Sequence, residues 1–119
     1  AEAKALSLIG FFAASVHTAH AHVGRPERYT EEQSAFPGNK AQGLKTFHGY
    51  LQQIDGMLAG REWFGDSYSV LDPYGFVFYT WGVRRELPVG DLKNYTAFKD
   101  RMTKRPAVQR VLEDEKVKV

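Results

Sequence analysis

The sequence predicts an all-α fold, one helical bundle assembled around a buried central helix. Three observations predict it. Apolar residues recur at spacings of three and four along most of the chain, and the period-two alternation of strands is nearly absent. Pro26, Pro37, Gly38, Gly60 and Pro88 fall between the periodic stretches, where they break helices. One stretch, Tyr74 to Trp81, is apolar on almost every side, the pattern of a helix enclosed by others. A chain of 119 residues suffices for one domain with a sizeable core, here residues 1–119.

The first helix is expected from Ala3 to about Val23, with Leu6, Ile9, Phe12, Ala13, Val16 and His20 on its inner stripe. Lys4, the apolar run Leu6 to Val16 and the small-x-small Ala19-His20-Ala21 imitate a secretory leader. Glu2, His17 and His20 argue against that reading, so the segment is taken as a helix of the domain. The polar stretch Gly24 to Asn39, broken by Pro26, Pro37 and Gly38, reads as a long loop with a short helical turn near Thr30. Asn39 is expected to cap a second long helix to about Ala59, with Leu44, Phe47, His48, Leu51, Ile54 and Leu58 inward. Gly60 stops it by accepting the left-handed conformation.

Trp63 to Tyr68 is a turn, leading to the central helix from Ser69 to about Arg85. Ser69 and Asp72 have capping-box spacing: the Ser69 hydroxyl should accept from the Asp72 N–H, and the carboxylate should accept from the Ser69 N–H. Pro73 looks out of place there because it lacks a donor. Leu87-Pro88 ends the helix. Asp91 is expected to cap the next, whose inner face carries Leu92, Tyr95, Phe98 and Met102. Pro106 suits the first turn of a last helix, with Val108, Val111 and Leu112 inward and Lys116 to Val119 frayed.

Composition narrows the function. There is no Cys, which removes disulfides, thiolate metal sites and a cysteine nucleophile. Sixteen Lys and Arg face fourteen Asp and Glu, without a basic block, so neither a nucleic-acid partner nor a metal cofactor is expected. No apolar stretch is long enough to span a bilayer, and a cytoplasmic setting is the expectation.

Four motifs, in order and register, carry a resemblance. They are Trp63-Phe-Gly-Asp-Ser-Tyr-Ser-Val-Leu-Asp72, then Trp81 twelve residues after Ser69, then Arg101-Met-Thr-Lys-Arg-Pro-Ala-Val-Gln-Arg-Val-Leu112, and His17 nine residues before Pro26. Together they resemble the C-terminal helical domain of bacterial, beta-class-like glutathione transferases, across the chain from the first helix onward. The resemblance implies that a thioredoxin-like domain, outside these residues, binds and activates the co-substrate glutathione. The helical domain then lines the pocket for a hydrophobic electrophile and supplies contacts of a homodimer. The chemistry implied is thiolate attack on an electrophilic carbon, in a detoxifying enzyme of which this chain alone should be inactive.

By the same resemblance His17 is the candidate contact to the glutathione thiolate, since an imidazole N–H can donate to it. Thr18, His20, Trp81 and Arg84 are the other candidate substrate-binding residues. Related bacterial enzymes often carry Lys where Thr18 stands and an amide where Gly10 stands, so both departures put those contacts in doubt. His17, His20 and His22 are not read as a metal site, because His22 points away from His20 and no carboxylate or thiolate joins them. Ser69 and Asp72 are assigned to folding. Two alternatives stay open: a non-catalytic interaction module, as similar domains are in translation factors and aminoacyl-tRNA synthetases, and a free-standing helical dimer binding an apolar small molecule.

Overall fold

The computed structural model describes residues 2–119. Helix α1 (Glu2–Phe11), a π-helical turn (Phe12–Val16) and α2 (His17–Gly24) follow one another as a rod, with right-handed helical backbone at both junctions. The rod meets α3 (Phe36–Met57) antiparallel: Val23 lies by Gly43, and Leu8 lies by Met57. Gly43 permits this approach, since a Cβ there would stand 2.8 Å from the His22 Cβ and 3.2 Å from the Ala19 carbonyl oxygen.

Helix α4 (Leu71–Arg84) threads the middle, touching α1, the π turn, α3 and α5 (Lys93–Thr103). Helix α6 (Pro106–Asp114) closes the chain against α5, with Pro106 in its first turn. Among the described residues there is no strand. The core draws on every layer: Phe12 and Val16, Phe47, Leu51 and Ile54, Phe78 and Tyr79, and Tyr95, Phe98 and Met102. No helix among the described residues is long and apolar enough to cross a membrane.

Several local expectations change. On the first rod Leu6 is 63% exposed and Ala13 is also exposed, while Ala5, Leu8 and Ile9 pack against the core. Counting back from buried Phe12 in steps of about 3.6 residues reaches Ile9 or Leu8 and then Ala5, so phase overrides the greater hydrophobicity of Leu6. Asn39 is not a cap, because α3 starts earlier, at Phe36, with Pro37 in its first turn where no N–H partner is needed. Two short 3-10 turns, Pro26–Arg28 and Gln33–Ala35, occupy the preceding loop.

Asp91 is not a cap either. It ends a 3-10 turn, Val89–Asp91, and α5 begins at Lys93 without a side-chain cap from its own flank. The acceptor comes from α3, where the Asp55 carboxylate takes the Tyr95 N–H at 2.8 Å. On α6, Val108 and Leu112 pack inward but Val111 is 55% exposed. The end of α6 is closed: Lys116 is left-handed (φ 55°), and the Val117 N–H donates to the Leu112 carbonyl at 2.9 Å. Glu86 (φ 59°) and the Leu87 N–H to Gly82 carbonyl bond close α4 in the same manner, and Gly60 (φ 69°) follows α3.

The start of α4 differs from the expected box in one half. The Asp72 carboxylate does accept from the Ser69 N–H, at 2.8 Å. The Ser69 hydroxyl accepts from the Leu71 N–H at 3.3 Å, while the Asp72 N–H goes to the Ser69 carbonyl. The second carboxylate oxygen of Asp72 accepts from the Phe64 N–H at 3.0 Å, a bond that ties the preceding turn to the helix. Asp72 is fully buried. Burial raises its carboxyl above the ordinary value, against the two N–H donors and the nearby Arg105 and Arg101. Because the helix begins at Leu71, Pro73 lies in its first turn, where backbone donors have no intrahelical acceptor to lose.

Candidate functional site

An aromatic and imidazole wall forms where α2 passes the C-terminal half of α4. The His20 ring stacks on Trp81 at 4.2 Å between centroids and 19° between planes. His17, one turn earlier and exposed, meets the same indole edge-on at 5.3 Å. Phe78 lies edge-on to Trp81 from one helical turn back, and Phe47 of α3 backs His20 at 5.1 Å. Spacing explains the local arrangement: residues three apart on α2 and on α4 each share a face, so two helices bring four rings together.

Two guanidinium groups border the wall. The Arg85 Nε donates to the His20 Nε2 at 3.4 Å, so that nitrogen is an acceptor and the imidazole is neutral. Burial, then the charges of Arg85, His17 and Arg84, lower the His20 pKa from 6.5 to about 4. A neutral imidazole stacked on an indole presents a flat, largely apolar surface with hydrogen-bonding edges.

The wall has a pH consequence of its own. Because the folded-state value lies below the unfolded one, the unfolded chain takes up a proton below about pH 6.5 that the folded chain refuses until about pH 4. Stability is therefore lost as pH falls through that window. Discounted for partial exposure, the loss is on the order of 1–2 kcal/mol. His20→Phe should flatten this part of the slope, read as urea midpoints at pH 7 and pH 4.5. Equal losses in the variant and the parent would remove the neutral-imidazole assignment.

The structure thus gathers His17, His20 and Trp81 and puts Arg84, exposed, close enough to act on His20. Thr18 is not brought to the wall. One residue on a helix is about 100° of rotation, and Thr18 faces a groove between α2 and α3 lined by Ser15, His22, Gln42 and Thr46. In that groove the His22 Nδ1 lies 2.9 Å from the Thr18 carbonyl oxygen, and its ring stacks on Tyr29 at 3.6 Å. Among the described residues no three His, Cys, Asp or Glu side chains cluster as metal ligands would.

Three members of the wall, Phe78, Phe47 and Arg85, lie outside the residues singled out from sequence as binding. Phe47 belongs to the expected core stripe of α3, and Arg85 to the expected end of the central helix. Only the packing of α2 on α3 and α4 shows that both reach His20. Of the wall's rings, His17 is exposed, His20 and Trp81 are half-buried, and Phe47 and Phe78 are buried. A separate cavity of about 370 Å³ lies at the other end of the rod, between Leu8, Phe11, Met57 and Phe64, and shares no residue with the wall.

No family model matches the sequence, and no curated protein matches it either. Among solved structures the chain is similar to a glutathione transferase homolog from Sulfitobacter, solved with bound glutathione. The TM-score is 0.85 and the identity 27%, over 98% of this chain and 56% of that one. It is also similar in fold to the glutathione-S-transferase from Xylella fastidiosa, with TM-score 0.84 and 21% identity over 98% of this chain and 57% of that one. The chain spans little more than half the length of either protein.

Proposed function

We propose that this chain, which has the fold of a glutathione transferase C-terminal helical domain, supplies the electrophile side of such an enzyme's active site. A thioredoxin-like half would hold glutathione. The observation that carries the reading is the His17, His20 and Trp81 wall, in a chain whose fold neighbour binds glutathione. A flat electrophile lies against the Trp81 and His20 rings, excluding water from one face of the reacting carbon. His17, exposed at the edge of the indole, donates an N–H to the glutathione sulfur and favours its thiolate form. The thiolate attacks the electrophilic carbon, the carbon–sulfur bond forms, and the leaving group departs with its electron pair. A second copy of the enzyme pairs with the first, and the product is a glutathione conjugate of lower reactivity.

The test is conjugation of glutathione to 1-chloro-2,4-dinitrobenzene, followed by absorbance. The 119-residue chain alone should show no turnover above background. The same chain joined to a glutathione-binding thioredoxin-like half should be active. In that enzyme, His17→Ala should lower kcat about tenfold, the effect of one hydrogen bond to a charged group. Trp81→Ala should chiefly raise the KM for the electrophile. Turnover by the isolated chain, or a joined enzyme indifferent to both substitutions, would overturn the proposal.

A further inference from the structure

We propose that the wall is selective for planar aromatic molecules that carry a negative charge, the charge being held by Arg85 and Arg84. This rests on the reading of the wall as a binding surface and names the class of molecule that fits it. Arg85 is only partly exposed, and Arg84 stands beside it at the end of α4. Among the described residues the ion pairs within 4.0 Å are Arg61 with Asp66 and Lys99 with Asp100, so neither Arg84 nor Arg85 has a carboxylate partner.

Serving the end of α4 does not occupy them. Among the described hydrogen bonds, neither guanidinium reaches a backbone carbonyl, and the one polar contact is from the Arg85 Nε to His20. The α4 carbonyls are served instead by the Arg85, Glu86 and Leu87 N–H groups. A partly buried guanidinium with donors to spare, next to a stacked indole and imidazole, offers what an aromatic carboxylate needs. The ring extends the stack and the carboxylate accepts two parallel N–H bonds. A neutral ring of the same shape gains the stacking alone. Both His17 and His20 can present hydrogen-bonding edges to the same ligand, but neither competes for its charge while neutral.

The experiment uses a matched pair of probes, 3,5-dinitrobenzoate and 1,3-dinitrobenzene, titrated into the 119-residue chain. Binding is read by quenching of Trp fluorescence, and the Trp81→Phe variant separates the wall's signal from that of Trp63. The benzoate should bind at least tenfold more tightly than the neutral ring, with an advantage that shrinks as salt rises. Arg85→Gln should remove most of the advantage. Arg84→Gln, at an exposed position, should remove part of it and guards against a folding defect at Arg85. Equal affinity for the two probes in the parent chain would overturn the proposal, as would an advantage unaffected by both substitutions. Conjugation distinguishes the two readings: charge-selective binding without any turnover in the joined enzyme counts against the transferase assignment only. Turnover of the neutral electrophile without charge selectivity counts against this inference only.

Discussion

Replacing Asp72 with Ala should lower stability by about 3–4 kcal/mol, the largest loss expected from a single polar side chain in this protein. The carboxylate is fully buried and satisfies two backbone donors, of Ser69 at 2.8 Å and Phe64 at 3.0 Å. Alanine orphans both N–H groups, each at about 1–3 kcal/mol when water cannot reach it. It also frees the turn from Trp63 to Tyr68, because the Phe64 bond fastens that turn to α4. Part of the loss is returned, since the buried charge is itself costly and burial raises the Asp72 carboxyl. The melting temperature should drop by roughly 10–15 °C. Asp72→Asn keeps an acceptor for one donor and should lose less. Probe affinity at the wall, measured well below the transition, should be unchanged because Asp72 opens α4 at the end opposite Trp81. A change under about 1 kcal/mol in the alanine variant would show that water or a local shift replaces both bonds.

Gly75→Ala should also be clearly destabilising, for the opposite reason. A Cβ at this position would stand 2.3 Å from the Phe64 ring and 2.6 Å from its tip. That ring cannot swing aside freely. It is 5% exposed and sits edge-on to Phe12 at 5.4 Å and to Phe98 at 5.1 Å. On the other side of the backbone the Tyr95 hydroxyl donates to the Gly75 carbonyl, so moving α4 away disturbs a buried bond. Helix propensity alone favours Ala by about 1 kcal/mol. Overpacking of this kind costs about 1–3 kcal/mol or more and should win, with a net loss of about 2 kcal/mol by urea denaturation. Phe64→Leu combined with Gly75→Ala should recover part of it, whereas a neutral or stabilising single substitution would contradict the close approach.

The helices were readable from the chain wherever their own periodicity decides burial. Phe47, Leu51, Ile54 and Leu58 on α3, and Leu92, Tyr95, Phe98 and Met102 on α5, are buried as their spacing predicts. The central position of α4 was readable from the apolar run after Tyr74, although Pro73, Val77 and Arg84 are exposed along it. What could not be read depends on partners distant in sequence. Asn39 and Asp91 are plausible caps by residue type, but the start of α3 is set by Pro37 and that of α5 is capped from α3 by Asp55. No local pattern announces that a carboxylate on one helix will serve an N–H on another.

The site divides the same way. His17, His20 and Trp81 stood out by motif, and the structure brings them together. Thr18, next in sequence to His17, lies about 100° further around the helix and faces the groove between α2 and α3 instead. Phe47 carried only a core signal and Arg85 only its place at a helix end, and their contact with His20 exists only once α2, α3 and α4 are packed.

The direction in which the two imidazoles look is set by the wide coil between Phe12 and Val16. Such a coil takes about one residue more per revolution than the α-helix on either side. Every side chain beyond it is thereby turned back by roughly 100° from where an unbroken spiral would carry it. Beyond it Ala19 and Val23 are buried beside Gly43 of α3, and His20 lies next to them, half-buried against Trp81. The aim of the two imidazoles is thus written into the main chain upstream of them, and trimming one residue from Ala13 to Ser15 would turn both away from Trp81 while leaving Phe47, Phe78 and Trp81 in place.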